Sequence, residues 1–135
     1  MQTFLPYSNF METAKCLDYK RLGKQRVEAM QIINIIECKS KSKAWKNHPA
    51  VHLWENNIDA LKLYCNTMID EWIKRGYNNT MKKYYIFLDY GACYPKWLGR
   101  EDFHSRHRAA LLFKNYEWYK QFNWKEEPKI DYLWR

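Results

Sequence analysis

The stretch from Leu17 to Gln31, LDYKRLGKQRVEAMQ, constrains this chain more than any other. Read as a helix, it sets Leu22, Ala29, Met30 and Ile33 on one inward stripe, at spacings of three, four or seven. Arg21, Lys24, Gln25, Glu28 and Gln31 then fall on the polar side. Lys24 and Gln31 flank Glu28 at one turn's distance, and Gln25 is also its neighbour. One carboxylate among cations and amides fits two readings. It is a general acid/base facing a polyanion, or an ordinary solvated face, because structural ion networks surround carboxylates in the same way.

The rest of the chain arranges itself around this helix, which spans roughly Asp18 to Cys38. Met1 to Tyr7 reads as an extended lead-in, with Pro6 opposing helix. Asn9, with Glu12 three residues on, opens a short helix ending near Leu17. Gly23 marks a bend or a close approach within the long helix. Lys39-Ser40-Lys41-Ser42-Lys43 is a basic, flexible connection. Pro49 suits the first turn of a third helix reaching Glu55. Asn57 is placed to cap a fourth, in which Ile58, Leu61, Cys65, Met68 and Trp72 recur at helical spacing and Gly76 supplies the stop. Between Tyr77 and Gly99 the signals weaken, and the run Tyr84 to Leu88 fits helix and strand equally. Glu101 or Asp102 opens another helix through Phe113, and Asn115 caps a last one to Phe122. The tail from Asn123 to Arg135 mixes aromatics with charges and packs over the body. The expectation is one mainly α domain over residues 1–135, with five or six helices and long irregular connections.

A formal charge of +8 on a chain that is 47% hydrophobic describes a folded basic domain rather than a disordered tail. Nucleic acid is the first partner such a charge suggests and an anionic membrane the second. An aromatic content of 18% beside so many cations suits base stacking, although most rings belong to the core. Cys16, Cys38, Cys65 and Cys93 form no CxxC pair, and no apolar leader precedes them, so the thiols are expected reduced and buried, in an intracellular protein. No His or Cys pairs stand at zinc spacing, and no apolar run reaches membrane-spanning length. No metal, cofactor or obligate protein partner is implied.

Several side chains stand out individually. His48, between Asn47 and Pro49, fits a base or phosphate contact and equally a helix cap. His104, Arg106, His107 and Arg108 put four donors near a predicted helix start, a place that attracts anions. A metal role for His104 and His107 lacks further ligands. Lys39, Lys41 and Lys43 are candidate nonspecific phosphate contacts. Trp45, Trp97, Trp118 and Tyr119 are candidates for stacking on bases, whereas Trp72, spaced with Met68 and Ile69, belongs to the core.

Taken in order, Tyr19-Lys20-Arg21-Leu22 with Arg26-Val27, then Lys46-Asn47-His48-Pro49, then Asp70 to Tyr77, resemble the pyrimidine-dimer DNA glycosylase family, the endonuclease V type of ultraviolet-repair enzyme from phage. His104 to Ala110 and Glu117-Trp118-Tyr119-Lys120 extend the likeness. The opening MQTFLPY is most similar to a bacterial and viral branch of that family. The resemblance implies a compact helical protein that binds double-stranded DNA, extrudes a nucleotide carrying a damaged or modified base and cuts its glycosidic bond. Strand cleavage by AP-lyase chemistry either follows or does not. The family's nucleophile is an N-terminal α-amine, whose reference pKa near 8, against about 10.4 for lysine, leaves a useful neutral fraction at pH 7.

Two features depart from the family pattern. A side chain as large as Gln2 leaves Met1 in place, so the amine is that of Met1. Matching Tyr19 to Leu22 directly puts Arg21 where the family's catalytic Glu belongs, while matching through the Arg-rich second half puts Glu28 there. Glu28, the only Glu between Leu17 and Gln31, is therefore taken as the acid/base and Met1 as the nucleophile. The implied nucleic-acid-binding set is Lys20, Arg21, Lys24, Arg26, Lys46, Asn47, His48, His104, Arg106, His107, Arg108, Lys114, Trp118, Tyr119 and Lys120, with unstacking as the entry cost. Two other classes fit the same features: a catalytically inactive DNA-binding protein of this fold, and an enzyme acting on free nucleotides.

Overall fold

A computed structural model describes residues 1–39, 45–86 and 93–134. Among them are six α-helices, α1 (Phe10–Cys16), α2 (Tyr19–Ile36), α3 (Pro49–Trp54), α4 (Ile58–Lys74), α5 (Glu101–Lys114) and α6 (Tyr116–Tyr119), with a 3-10 turn at Lys120–Phe122 and no strand. No described helix is long and apolar enough to cross a membrane. The helices start where the local chemistry says. Asn9 accepts the Glu12 amide at 2.9 Å, the His48 ring accepts Ala50 at 3.0 Å ahead of Pro49, and Asn115 accepts Trp118 at 3.3 Å. Asn57 differs from expectation: its side chain makes no cap bond and instead donates to the Cys93 carbonyl at 2.9 Å.

The core lies between α2 and α4, which pack along their length, and α5 closes it. Leu22, Ala29, Ile32 and Ile33 of α2 meet Leu61, Cys65, Met68 and Ile69 of α4, around the fully buried Trp54 and Tyr64. Two positions of the α2 stripe need correcting. Met30 is only half-buried, and Gln25, expected on the polar face, is 1% exposed. Gly23 serves a close approach, because a Cβ there would lie 2.9 Å from Cζ3 of Trp72. Trp72 itself sits half-buried at the edge of the core, stacked on Tyr19. Gly23→Ala is therefore expected to lose about 1–2 kcal/mol, because the ring contact outweighs the gain in helix propensity. A raised urea midpoint for this variant would show that Trp72 yields freely.

The N-terminal segment threads into this core as an extended strand with no sheet to join. Its buried backbone groups must find partners, and side chains supply them. The Phe4 amide donates to Oε1 of Gln25 at 2.8 Å, and the Phe4 carbonyl accepts from Tyr64 at 2.7 Å. The Leu5 amide donates to Nδ1 of His107 at 2.9 Å, and the Leu5 carbonyl takes Nδ1 of His104 at 2.7 Å. Arg108 donates to the Pro6 carbonyl at 2.8 Å, and the Trp54 indole to Thr3 at 2.9 Å.

The tail does pack over the body. Lys129 donates its amide to the Ala109 carbonyl at 3.1 Å, Glu126 accepts from Ser105 and Arg108, and the Trp124 indole donates to Tyr7. Of the cysteines, all unpaired, Cys16 and Cys65 are buried, with thiols pushed up to about 12 by burial, but Cys38 and Cys93 are exposed, against expectation. Tyr84 to Ile86 form neither helix nor strand, and the rest of that run, like Ser40 to Lys43, lies outside the described residues.

Candidate nucleic-acid interface and reactive pair

Threading the N-terminal strand alongside α2 brings Met1 to the polar face of that helix, beside Glu28. The link is Gln25. Its Nε2 donates to the Gln2 carbonyl at 3.1 Å and to Oε2 of Glu28 at 3.0 Å, while Oε1 accepts from Phe4 and lies 2.8 Å from the Tyr64 hydroxyl. The partners fix which way this amide points. One buried side chain thus holds the carboxylate and the strand that ends at the amine in a set relation.

Two cavities meet at that pair. The first, of about 470 Å³, is lined by Met1, Gln2, Phe4, Lys20, Arg21, Lys24, Gln25, Glu28, His48, Lys114, Tyr132 and Trp134. The second, of about 440 Å³, is lined by Met1, Glu28, Gln31, Asn34, Ile35 and Trp45. Both lie within the size range of ligand sites. The first has cations on two sides, Lys20, Arg21 and Lys24 from the start of α2 and Lys114 from the end of α5, with one carboxylate between. Arg21 is tied to Asp18 at 3.2 Å.

His48 serves as the cap of α3 and as a cavity wall at once. Burial, and then the neighbouring N-terminal charge, hold its pKa below the ordinary histidine value. With Nδ1 accepting from Ala50, a neutral His48 presents Nε2–H, a neutral donor rather than a phosphate-binding cation.

Met1, Glu28, Lys20, Arg21, Lys24, His48 and Lys114 therefore share one cavity, and other sequence candidates do not join them. The predicted anion site at the start of α5 does not form. His104 and His107 point into the core at 3% and 0% exposure and clamp Leu5, so they face no DNA. Arg108 is tied to Glu126 and Glu101, and Arg106 to Asp131. The first turn of that helix carries Glu101 and Asp102, which repel anions. Tyr119 is fully buried, bonded to Asp18, and Trp97 is buried against Trp54, so neither offers a stacking face. Trp118 keeps a partly exposed ring but spends its indole N–H on the Cys16 carbonyl at 2.8 Å.

Arg26 turns away from the cavity, bonding Asn79 at 2.6 Å with its guanidinium 4.4 Å from the Trp72 ring centroid. Lys120 pairs with Glu117 and Lys39 with Glu37, both on the surface. Lys46 and Asn47 sit exposed in the turn before α3, and Lys41 and Lys43 lie outside the described residues. Sequence reasoning had no means of reaching Tyr132 and Trp134, which the tail delivers across the whole length of the chain. Gln25 carried a usable signal, an amide three residues before the carboxylate on the same turn.

A family model for pyrimidine dimer DNA glycosylases matches residues 1–85. The chain belongs to that family. The matched span contains the N-terminal strand, α2 with Gln25 and Glu28, the His48 cap and α4, so most of both cavities falls inside the family region. The segments His104 to Ala110 and Glu117 to Lys120, together with Lys114, Tyr132 and Trp134, fall outside it. No curated protein and no solved structure matches the chain. Membership in the family supports a DNA glycosylase-type function acting on DNA.

Proposed function

We propose that this member of the pyrimidine dimer DNA glycosylases releases a damaged pyrimidine by attack of the Met1 α-amine on the sugar C1′, with Glu28 as the acid/base. The observation that carries the reading is the shared position of Met1 and Glu28 on the walls of both cavities, tied together through Gln25. The amine lone pair forms the N–C1′ bond as the glycosidic C–N bond breaks, and the base leaves with the bonding electrons. Glu28 takes the proton that the amine sheds and returns one to O4′ as the ring opens to an iminium. Loss of a C2′ proton from that iminium, with departure of the 3′ phosphate, is the AP-lyase branch of the same intermediate.

Lys20, Arg21, Lys24 and Lys114 hold the flanking phosphates, and the extruded nucleotide enters the cavity at the usual cost of unstacking. Lys24→Ala and Lys114→Ala are each expected to weaken binding evenly across duplex sequences and to lower the salt slope of log K by about 1. Anisotropy titrations over a potassium chloride series measure both effects. A slope unchanged by either variant would remove that lysine from the interface.

Borohydride trapping on an abasic duplex and on an ultraviolet-irradiated duplex tests the chemistry. An adduct mapping to the N-terminal peptide is the expected result. Tight, salt-sensitive binding with neither adduct nor base release would favour a DNA-binding protein that lacks the chemistry. Release without an adduct would leave a glycosylase that uses water, with the Met1 assignment wrong.

A further inference from the structure

His48 is placed differently from the other three histidines. His104 and His107 are spent on Leu5, and His52 faces Glu55 at 3.1 Å on the surface. His48 stands half-buried on the wall of the first cavity, with Met1 and Glu28. Three contacts fix its ring. Nδ1 accepts the Ala50 amide at 3.0 Å, and the rings of Trp45 and Trp134 meet it at 60° and 89° with centroids 5.6 and 5.9 Å away. The cap bond also settles the tautomer, because a neutral ring whose Nδ1 accepts carries its proton on Nε2. Burial keeps the ring neutral, and the α-amine lies near enough for its charge to act in the same direction. The wall that carries the reactive pair therefore also carries an uncharged donor held in a set orientation.

We propose that Nε2–H of His48 donates to the carbonyl oxygen next to the glycosidic nitrogen of the departing base, and so stabilises the charge that builds there as the bond to C1′ breaks. The proposal rests on the reading of Met1 and Glu28 as the reactive pair, and it meets a demand which that pair leaves open. The amine supplies the electrons for the new N–C1′ bond, and Glu28 moves protons on the sugar side. The pair from the broken C–N bond leaves with the base and spreads from the ring nitrogen onto the adjacent carbonyl oxygen. Two bonds separate this oxygen from that nitrogen, so it stays within reach of a wall that presents the amine to C1′. A neutral N–H binds the carbonyl weakly before cleavage and more strongly as the oxygen turns anionic, which confines the stabilisation to the transition state. The proton stays on His48, and the base takes one from solvent once released. An imidazolium in this place would instead pair with Glu28 or with phosphate, and would spend the carboxylate that the amine needs.

Two substitutions separate this role from the cap. His48→Asn keeps a side-chain acceptor for the Ala50 amide and removes the donor at Nε2, whereas His48→Gln restores an N–H near the Nε2 position and gives up the cap. Both are compared with wild type on a duplex carrying one cyclobutane thymine dimer and on an abasic duplex, with circular dichroism checking the fold. His48→Asn is expected to slow single-turnover base release roughly 10- to 100-fold, the worth of one hydrogen bond to a charged group. Borohydride trapping on the abasic duplex, which has no base to release, holds within about twofold, and the salt slope of duplex binding is unchanged. His48→Gln recovers release to within about tenfold of wild type despite its poorer cap. Equal losses on the two substrates would place His48 at the sugar, and a lowered salt slope would place it at a phosphate; either overturns the proposal. A wild type that both releases base and traps the abasic site, matched in release by His48→Asn, overturns this proposal alone. A wild type that does neither overturns the parent reading, and this proposal with it.

Discussion

Glu28→Gln is expected to lower base release roughly 10²- to 10⁴-fold while duplex binding holds or tightens slightly. The substitution is nearly isosteric, and the new amide carbonyl can still accept from Nε2 of Gln25, so the N-terminal strand keeps its anchor. What disappears is the one carboxylate among the described residues lining a cavity whose other charged groups are lysines, an arginine and the α-amine. Phosphate affinity therefore does not suffer, because the local charge becomes more positive. The amine loses the base that takes its proton, and the opening sugar loses the acid that serves O4′. Single-turnover release and anisotropy on the same duplex separate the two effects. Release at the wild-type rate would remove Glu28 from the chemistry and return attention to the alternative register at Arg21. A parallel fall in binding and release would instead show that Glu28 supports the shape of the cavity.

The helices were legible in the sequence because each carries its own start signal and period: Asn9 before α1, His48-Pro49 before α3, the apolar recurrence of α4. The cavity was legible where one element builds it, which is why Lys20, Arg21, Lys24 and Glu28 were found together on α2. Gln25 was misplaced because a polar residue one step off the apolar stripe is solvated unless another segment brings it partners, and those partners are backbone groups of a strand whose path no periodicity reveals. The α5 cluster failed for the opposite reason. Four basic residues in five positions read as one patch, but Phe103, His104, His107, Ala110 and Leu111 recur at three, four and seven and all lie buried. The spacing that marks a core face was present, and the chemistry of histidine masked it. Tyr132 and Trp134 belong to a tail with no regular structure, set in place by Arg106–Asp131 and Arg108–Glu126, pairings that only the fold creates.

Those two histidines make the fold itself sensitive to acid. His107 is fully buried, and desolvation, with a smaller contribution from His104, pulls its pKa down from 6.5 to about 3. His104 is displaced in the same direction, again chiefly by burial. Below pH 6.5 the unfolded chain takes up protons that the folded chain refuses, so stability is complete above that value and falls as pH drops towards 3. Each unit within the window costs about 1.4 kcal/mol for one such group, so His107 alone removes about 2 kcal/mol between pH 7 and pH 5. Protonating Nδ1 of His107 would also turn the acceptor of the Leu5 amide into a second donor, and the segment that carries Met1 would lose one of its holds on α5, keeping those from His104 and Arg108. Urea midpoints at pH 7 and pH 5 measure the loss, above the range where the ion-paired carboxylates of Glu126 and Asp102 titrate. His107→Gln, which keeps an acceptor for Leu5 without a titrating ring, is expected to remove most of the slope, leaving the parts due to His104 and His48. Equal midpoints at the two pH values for the wild type would show that His107 is not held neutral in the core. That outcome would also undo the account of how the N-terminal strand is fixed beside Glu28.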